Sequence, residues 1–291
     1  MAETADILSQ DYQKVILPNL MAGCSMADLA HIEDVEDCWM DLHEYNVVPV
    51  TYMNSAASIK ALCGQANGIV CTSSNAKEAF KWALKRGEKI LFLPDQHLGR
   101  NVGKQLGIKT SDMVVWNPFK SWKREKFHLM GGNTKQEIEN AKIILWEGHC
   151  SVHTRFNINQ INTFRTQYPN GNVLVHPECT MEVVDEADYV GSTEFIIDTI
   201  SNAEAGSVWG IGTEISLVNR LAKENPDKTV FCLDSVVCPC STMYRIHPAY
   251  ILWTLEGILN NKPTNIISVP KDTKTFSKLA LERMLSVQTS S

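Results

Sequence analysis

Short apolar runs alternate along the chain with longer stretches in which apolar residues recur at helical spacing. This alternation is typical of an α/β fold whose strands are mostly parallel. The apolar runs predict strands at residues 14–17, 47–52, 68–71, 89–93, 142–146, 172–175, 189–190, 207–211 and 229–232. The periodic stretches predict helices at residues 55–65, 75–86, 99–106, 158–167, 181–187, 193–202, 215–225, 248–260 and 276–284.

Residues 107–134 interrupt this alternation. The segment is rich in Trp, Lys, Phe and Gly, has no clear period and ends in Gly131-Gly-Asn-Thr134. It is interpreted as an inserted loop or flap, which precedes the helix and strand that lead to Cys150.

Length, composition and charge narrow the class of protein. A chain of 291 residues can bury a large core, and two or three sub-domains are expected. No apolar run reaches the roughly 20 residues of a membrane span, and the first residues do not resemble a signal peptide, which indicates a cytoplasmic protein. The net charge of −6 argues against nucleic acid as the main partner and leaves small acidic substrates open.

The chain has nine scattered cysteines, an odd number that argues against a disulfide framework. They are interpreted either as ligands of a metal or cluster or as small buried apolar residues. The second interpretation is favoured for Cys38, Cys63, Cys71, Cys179 and Cys232.

Three other cysteines share a local architecture. Cys24, Cys150 and Cys240 each follow an apolar strand and a short loop, and each precedes a predicted helix. The carboxyl ends of parallel strands are common ligand sites, and a helix N-terminus favours a thiolate. The pattern suits three sub-domains that supply thiolates to one iron–sulfur centre, although spacing alone does not distinguish such a centre from core thiols.

Polar residues at other strand ends are further candidates. His176 and Glu178 follow the strand at 172–175 and could donate and shuttle protons, or they could be a structural histidine and a helix-capping glutamate. Ser192 and Thr193 open a helix, where they could bind a carboxylate or phosphate or cap the helix. The string Cys71-Thr-Ser-Ser-Asn75 is interpreted in the same two ways.

The sequence does not match other motifs of known chemistry. The chain has no phosphate-binding loop motif, and Gly210-Ile-Gly212 lacks the rest of a dinucleotide fingerprint. His176-Pro-Glu178 with Pro239-Cys240 is partly similar to the zinc deaminase pattern, but the second cysteine of that pattern would fall at Met243.

Several strings together resemble one family, quinolinate synthase, over residues 1 to about 260. The strings are Leu17-Pro-Asn-Leu-Met-Ala-Gly-Cys24-Ser-Met-Ala-Asp28, Tyr52-Met-Asn-Ser55, Cys71-Thr-Ser-Ser-Asn-Ala76, Pro94-Asp-Gln-His-Leu-Gly-Arg100, Trp146-Glu-Gly-His-Cys150-Ser-Val-His153, Val175-His-Pro-Glu178, Val190-Gly-Ser-Thr193, Gly212-Thr-Glu214 and Cys240-Ser-Thr-Met-Tyr-Arg-Ile246. Each string is short, but their number and order make the resemblance specific.

The resemblance implies three similar three-layer α/β/α units with parallel sheets around a pseudo-threefold axis. Residues 1–42 and 241–291 would form an incomplete first unit, 43–150 a second unit with the 107–134 insertion, and 151–240 a third. Each unit would supply one ligand to a [4Fe–4S] cluster, through Cys24, Cys150 and Cys240. Cys238 is the nearby competitor, and the Cys-x-x-Met pattern favours Cys240.

The implied reaction condenses iminoaspartate with dihydroxyacetone phosphate to quinolinate, phosphate and water in de novo NAD biosynthesis. L-Aspartate oxidase or dehydrogenase would supply the iminoaspartate. Tyr52, Asn54, Ser73, His176 and Thr193 match substrate-contacting positions, Ser192 belongs to the same string as Thr193, and Glu178 matches the acid–base residue. Tyr52 and His176 are counted with Glu178 as catalytic candidates.

One departure from the family is expected to matter. Family members begin with a strand that carries His-Tyr-Tyr-Gln and continue with Gly-Asp-Ser, whereas Met1-Ala-Glu-Thr-Ala5 matches a point inside the first unit. We therefore expect complete cluster ligands with an incomplete active site in this chain. A catalytically impaired remnant that binds a cluster or metal is the alternative function.

Overall fold

The computed structural model describes residues 1–121, 130–236 and 239–287. These residues form two compact units: the first comprises the described residues of 1–148 and 242–291, and the second comprises those of 149–241. Each unit contains a parallel sheet with helices packed against it, which confirms the predicted α/β class. The pseudo-threefold axis stays a prediction. No helix in the described part of the chain is long and apolar enough to cross a membrane.

The described strands are β1 (Val47–Tyr52), β2 (Ile69–Cys71), β3 (Lys89–Leu93), β4 (Met113–Trp116), β5 (Ile143–Trp146), β6 (Asn172–Val175), β7 (Tyr189–Val190), β8 (Val208–Gly212) and β9 (Thr229–Cys232). The described helices are α1 (Ala2–Leu8), α2 (Ile32–Asp41), α3 (Ala57–Gln65), α4 (Ala76–Leu84), α5 (Gln96–Gln105), α6 (Pro118–Ser121), α7 (Lys135–Asn140), α8 (Ile158–Gln167), α9 (Met181–Glu186), α10 (Thr193–Asn202), α11 (Ile215–Glu224), α12 (Pro248–Leu259) and α13 (Lys271–Ser286).

The sheet of the first unit has the strand order β2-β1-β3-β5-β4 in its described residues, and all its pairs are parallel. Side chains of the central strand β3 alternate between two helical layers. Leu91 and Leu93 pack in the core that includes α2 and α3, whereas the Phe92 ring lies 5.1 Å from the ring of Phe80 on α4. Burial on both faces explains why β3 is a continuous apolar run.

Close helix packing in the first unit depends on glycine. A methyl group on Gly64 would overlap the carbonyl oxygen of Phe276, where α3 meets α13. Ser277 also donates a hydrogen bond to the carbonyl of Ala57 at 2.8 Å. The C-terminal helix is therefore fixed directly on α3.

The sheet of the second unit has the order β7-β6-β8-β9 in its described residues and is also parallel throughout. Val173 and Val175 on β6 pack in the core with α8 and α9, and Leu174 packs in the core with α10 and α11. Since parallel strands share one direction, the residues that follow all four strands lie at one edge of this sheet.

Two sequence predictions were wrong. The expected strand at 14–17 is a half-exposed segment that makes a single antiparallel bridge, between Ile16 and Ile266; its apolar run has only three residues and ends at Pro18. Residues 113–116, expected to be irregular, form strand β4, which pairs with β5 at the edge of the first sheet. Residues 122–129 of that segment lie outside the described part.

Candidate active site

Buried polar residues gather at the carboxyl edge of the second sheet. His176 and Glu178 follow β6, and Thr213 follows β8, its neighbour in the sheet. The exposed fractions of these three residues are only 4%, 3% and 4%. Because burying polar groups is costly without partners, their arrangement points to a site rather than to a surface loop.

His153 joins these residues to one another. Its Nδ1 atom lies 2.7 Å from Glu178 Oε2. Its Nε2 atom lies 3.2 Å from the hydroxyl oxygen of Thr213. Its ring stacks on the ring of His176 with centroids 4.4 Å apart. One imidazole thus contacts the three strand-end residues at once.

The hydrogen-bond pattern defines the protonation of His176. The backbone N–H of Glu178 donates to His176 Nδ1 at 3.3 Å, so this nitrogen is the acceptor and the ring hydrogen is on Nε2. Burial is the main cause that lowers the pKa of His176 to about 3; the neighbouring His153 adds to the shift and the Glu178 carboxylate opposes it. At neutral pH His176 is therefore a neutral ring with one N–H to donate.

Cys150 belongs to the same group of side chains. One ligand atom each from Cys150, His153 and Glu178 lies within 4.8 Å of the others. Sulfur, imidazole nitrogen and carboxylate oxygen are donors that zinc and iron accept. All three residues belong to the second unit. The edge of this sheet therefore has the composition of a metal site as well as of an acid–base site.

Cys24, Cys150 and Cys240 lie in the same local structure. Each is followed by serine, then by a single 3₁₀ turn that begins three residues after the cysteine, and by an α-helix that begins eight residues after it. The 3₁₀ turns are Ala27–Leu29, His153–Arg155 and Met243–Arg245, and the helices are α2, α8 and α12. Each cysteine therefore lies before a 3₁₀ turn, and not directly beside the α-helix N-terminus that the sequence predicted. We call the segment from each cysteine to the start of the following α-helix a Cys-Ser turn.

The cysteines divide by exposure. Cys24, Cys150 and Cys240 are half-buried, and so is Cys232. The other described cysteines, which are Cys38, Cys63, Cys71 and Cys179, are fully buried. Burial raises the pKa of the Cys63 thiol to about 12 and also raises the pKa of Cys38 and Cys71, so these three remain neutral thiols in the core. Cys238 lies outside the described residues.

Comparisons with known proteins agree with these features. The family model described as quinolinate synthetase A protein matches residues 1–286. The chain belongs to this family.

Among curated relatives, the quinolinate synthase of Corynebacterium glutamicum is 55% identical over 291 residues, which cover 99% of this chain and 72% of that protein. Those of Streptomyces coelicolor and Herpetosiphon aurantiacus are 52% and 50% identical, and the matches cover 99% of this chain and 73% and 76% of those proteins.

The remaining residues that the family resemblance implied also lie at strand ends. Tyr52 ends β1, Asn54 follows it, and Ser73 follows the neighbouring strand β2 in the first unit. In the second unit, Ser192 follows β7 and caps α10, since its hydroxyl accepts the N–H of Phe195 at 3.3 Å. Thr193 is the first residue of that helix. The capping interpretation of Ser192 is therefore confirmed, and the N-cap residue of α9, the helix that follows Glu178, is Thr180.

Sequence reasoning gave no role to His153 or Thr213, although both stand in strings that resemble this family. The available signal was the spacing Cys150-x-x-His153, which keeps a second possible metal ligand within three residues of the cysteine, just before the 3₁₀ turn begins. The contact of His153 with Glu178 joins residues 25 positions apart (178 − 153), so only the folded chain shows it.

Proposed function

We propose that this chain is a quinolinate synthase that condenses iminoaspartate with dihydroxyacetone phosphate to give quinolinate, phosphate and water in NAD biosynthesis. The match of residues 1–286 to the family supports the proposal. The observation that carries it is the Cys-Ser turn that recurs at Cys24, Cys150 and Cys240, since it distinguishes these three cysteines from the buried ones.

Cys24, Cys150 and Cys240 would hold a [4Fe–4S] cluster. The donor set fits this group, because clusters are bound by thiolates and these side chains are half-buried rather than enclosed in the core. When bound by three thiolates, such a cluster supplies one iron with an open coordination position, which acts as a Lewis acid.

His176 and Glu178 would handle protons near the reacting atoms. The neutral His176 ring can donate its Nε2 hydrogen to a carboxylate or enolate oxygen of the substrate. Glu178 would take a proton from the substrate carbon or nitrogen and return it to a departing hydroxyl. Their burial excludes water, which strengthens both interactions.

Other strand-end residues would bind the anionic groups of the substrates. The first N–H groups of α10, at Thr193 and Glu194, have no partner within the helix and suit a carboxylate or phosphate, and the Ser192 hydroxyl can still donate its hydrogen. Tyr52, Asn54 and Ser73 would offer hydroxyl and amide groups from the first unit. The iminoaspartate would come from L-aspartate oxidase or dehydrogenase, and a cytoplasmic location stays a prediction.

Cluster binding is tested first, by anaerobic purification and reconstitution followed by iron and sulfide analysis. About four irons per chain are expected in the wild type. Cys150→Ala and Cys240→Ala should each lose most of this iron, whereas Cys38→Ala, which removes a core thiol, should keep it. Wild-type protein without iron would refute the proposal.

Activity is tested second, on the loaded protein. Iminoaspartate is generated in the assay by L-aspartate oxidase, dihydroxyacetone phosphate is added, and quinolinate is measured by chromatography. We expect quinolinate from the wild type and little from Glu178→Gln. A fully loaded wild type that forms no quinolinate would instead support the alternative, a remnant that binds a cluster without catalysis.

A further inference from the structure

We propose that Cys150, His153 and Glu178 bind a single zinc ion in the cluster-free protein. This mononuclear site differs from the proposed cluster site in its metal and in two of its three ligands. All three residues belong to the second unit, and one ligand atom from each lies within 4.8 Å of the other two. Zinc binding does not depend on the proposed function, whereas competition between zinc and the cluster rests on the proposed role of Cys150.

The separation of the three ligand atoms suits a zinc ion. Zinc binds sulfur at about 2.3 Å and nitrogen or oxygen at about 2.0–2.2 Å, so the ligand atoms of a tetrahedral site lie about 3.3–3.7 Å apart. The atoms of Cys150, His153 and Glu178 lie within 4.8 Å of one another, and His153 Nδ1 and Glu178 Oε2 are 2.7 Å apart. Side-chain rotations that move each atom by about 1 Å or less therefore complete the site.

A proton lies where the metal ion would bind. Nitrogen and oxygen atoms that are 2.7 Å apart, as His153 Nδ1 and Glu178 Oε2 are, share a hydrogen. Zinc would replace this proton and the proton of the Cys150 thiol, because metal ligands must be deprotonated. The thiolate and the carboxylate then balance both charges of the ion. Charge balance matters here because His153 and Glu178 are buried.

The surroundings of two ligands favour metal binding. A histidine that binds a metal usually donates its other ring N–H to an oxygen, which fixes the ring. With zinc on Nδ1, the Nε2 hydrogen of His153 is available to the Thr213 hydroxyl oxygen at 3.2 Å. The backbone of Cys150 is also held, since the N–H and the hydroxyl of Thr154 both donate to its carbonyl oxygen, at 3.1 and 3.0 Å. The His153 ring and the Cys150 backbone are therefore positioned before the ion binds.

The chemistry of the donor set selects zinc among the common divalent ions. Mg²⁺ and Ca²⁺ prefer sites made of oxygen atoms, whereas this site combines sulfur, imidazole nitrogen and carboxylate oxygen. Such mixed sites bind Zn²⁺ more tightly than Fe²⁺. Three protein ligands leave the fourth tetrahedral position to water.

The first experiment measures metal binding to the cluster-free protein, which is prepared with a phosphine reductant and titrated with zinc chloride against a chelating dye. About one zinc ion per chain is expected. Co²⁺ in place of zinc should give the absorption bands of a tetrahedral ion with a thiolate ligand, and Cys150→Ser should remove the thiolate band. Thr213→Val removes a partner of a ligand and should weaken zinc binding by about 10- to 100-fold. His153→Leu and Glu178→Gln remove ligands and should weaken it more.

Matched variants distinguish this site from zinc held by the three proposed cluster cysteines. Cys24→Ala and Cys240→Ala each remove a thiolate of the cluster set but no ligand of the zinc site, so both should keep the wild-type zinc affinity. His43→Asn, at an exposed histidine, should keep it too. Circular dichroism shows which variants are folded, and His153→Gln, which also removes the imidazole, replaces His153→Leu if that variant does not fold.

Three results would overturn the zinc site. They are a wild-type protein that binds no zinc, equal losses of affinity in Cys240→Ala and Cys150→Ser, and wild-type affinity in folded variants of His153 or Glu178.

The second experiment tests competition during reconstitution with iron and sulfide. Because zinc and the cluster would both use the Cys150 sulfur, bound zinc should lower the iron content, and removal of zinc with a chelator should restore it. The same zinc concentration should have much less effect on Glu178→Gln. Undiminished iron uptake by the zinc-bound protein would overturn the competition. A wild type that binds zinc but never takes up iron would refute the proposed function and leave the zinc site standing.

Discussion

Raising the pH from 8 to 10.5 should stabilise the wild-type protein more than a Lys60→Met variant. Lys60 on α3 is fully buried, and its ammonium group donates to the carbonyl oxygen of Ser55 at 2.6 Å and to the Ser55 hydroxyl at 3.2 Å. Burial lowers the pKa of Lys60 from 10.5 to about 8, although the Glu3 carboxylate opposes this shift. The folded state therefore binds this proton more weakly than the unfolded chain does.

The size of the effect follows from linkage. The shift from 10.5 to about 8 is roughly 2.5 pH units, and at about 1.36 kcal/mol per unit it corresponds to about 3 kcal/mol. Below pH 8 both states carry the proton, and the folded state is destabilised by the full free energy of burying the charged amine. Between pH 8 and 10.5 only the unfolded chain keeps the proton, so the free energy of unfolding rises with pH. Above this window both states are neutral and the cost is gone.

The assay is urea denaturation of both proteins at half-unit steps across this pH window, with a reductant present. Met has a similar length to Lys and no charge, so the difference between the two proteins isolates the Lys60 proton. Lys77→Met, at an exposed position of α4, is the matched control and should follow the wild type. Parallel curves for the wild type and Lys60→Met would refute the assignment of a buried, weakly basic amine.

Two further predictions concern the framework around the sites. Gly64→Ala should destabilise the first unit by about 1–3 kcal/mol or more, because its methyl group would overlap the Phe276 carbonyl. Thermal unfolding measures this loss, with the exposed substitution Gln65→Ala as the control. An unchanged unfolding midpoint of Gly64→Ala would contradict the packing of α3 on α13. Asp95→Ala should lower the free energy of unfolding by about 1–2 kcal/mol, because buried Asp95 caps α5 by accepting hydrogen bonds from two backbone N–H groups, at 2.8 and 2.9 Å. Hydrogen exchange at the start of α5 should be faster in the variant than in the wild type. Equal exchange in both proteins would contradict the capping role of Asp95.

Much of the fold could be predicted from the sequence, because buried parallel strands leave a strong pattern. The strands at 47–52, 89–93, 172–175, 189–190 and 229–232 have the predicted bounds. In the central ones, consecutive apolar residues face helices on both sides of the sheet, a pattern that few other structures produce at this length. The helix at 158–167 also has its predicted bounds, which fit the capping box formed by Asn157 and Gln160.

Edge elements were harder to predict. Strand β4 is half-buried over most of its length and lies among Trp and Lys residues, so it lacks the continuous apolar run of a central strand. Helix α2 was not predicted, although Ile32, Val35, Trp39 and Leu42 recur at helical spacing and face the core. Its acidic residues occupy the opposite face and strengthen the amphipathic pattern, so this helix could have been predicted from the sequence.

The candidate site was only partly predictable, for a related reason. His176 and Glu178 could be found because they directly follow a strand, and position after a strand can be read locally. The role of His153 depends on contacts with two different strand ends, at Glu178 and Thr213, and on stacking with His176. No local pattern encodes such contacts, since they exist only once the sheet has formed.

The Cys-Ser turns show a different relation between sequence and structure. Beyond Cys and Ser, the three segments share few residues, yet each has an αR residue before the 3₁₀ turn and a polar residue, His31, Asn157 or His247, at the N-cap of the following helix. A geometry that recurs with different neighbours must be set mainly by the local backbone. The orientation of each cysteine is therefore encoded within about eight residues of chain, whereas the contacts of His176 and Glu178 depend on tertiary packing. Substitutions in the core of the second unit should accordingly disturb the positions of His176 and Glu178 before they disturb those of the three cysteines.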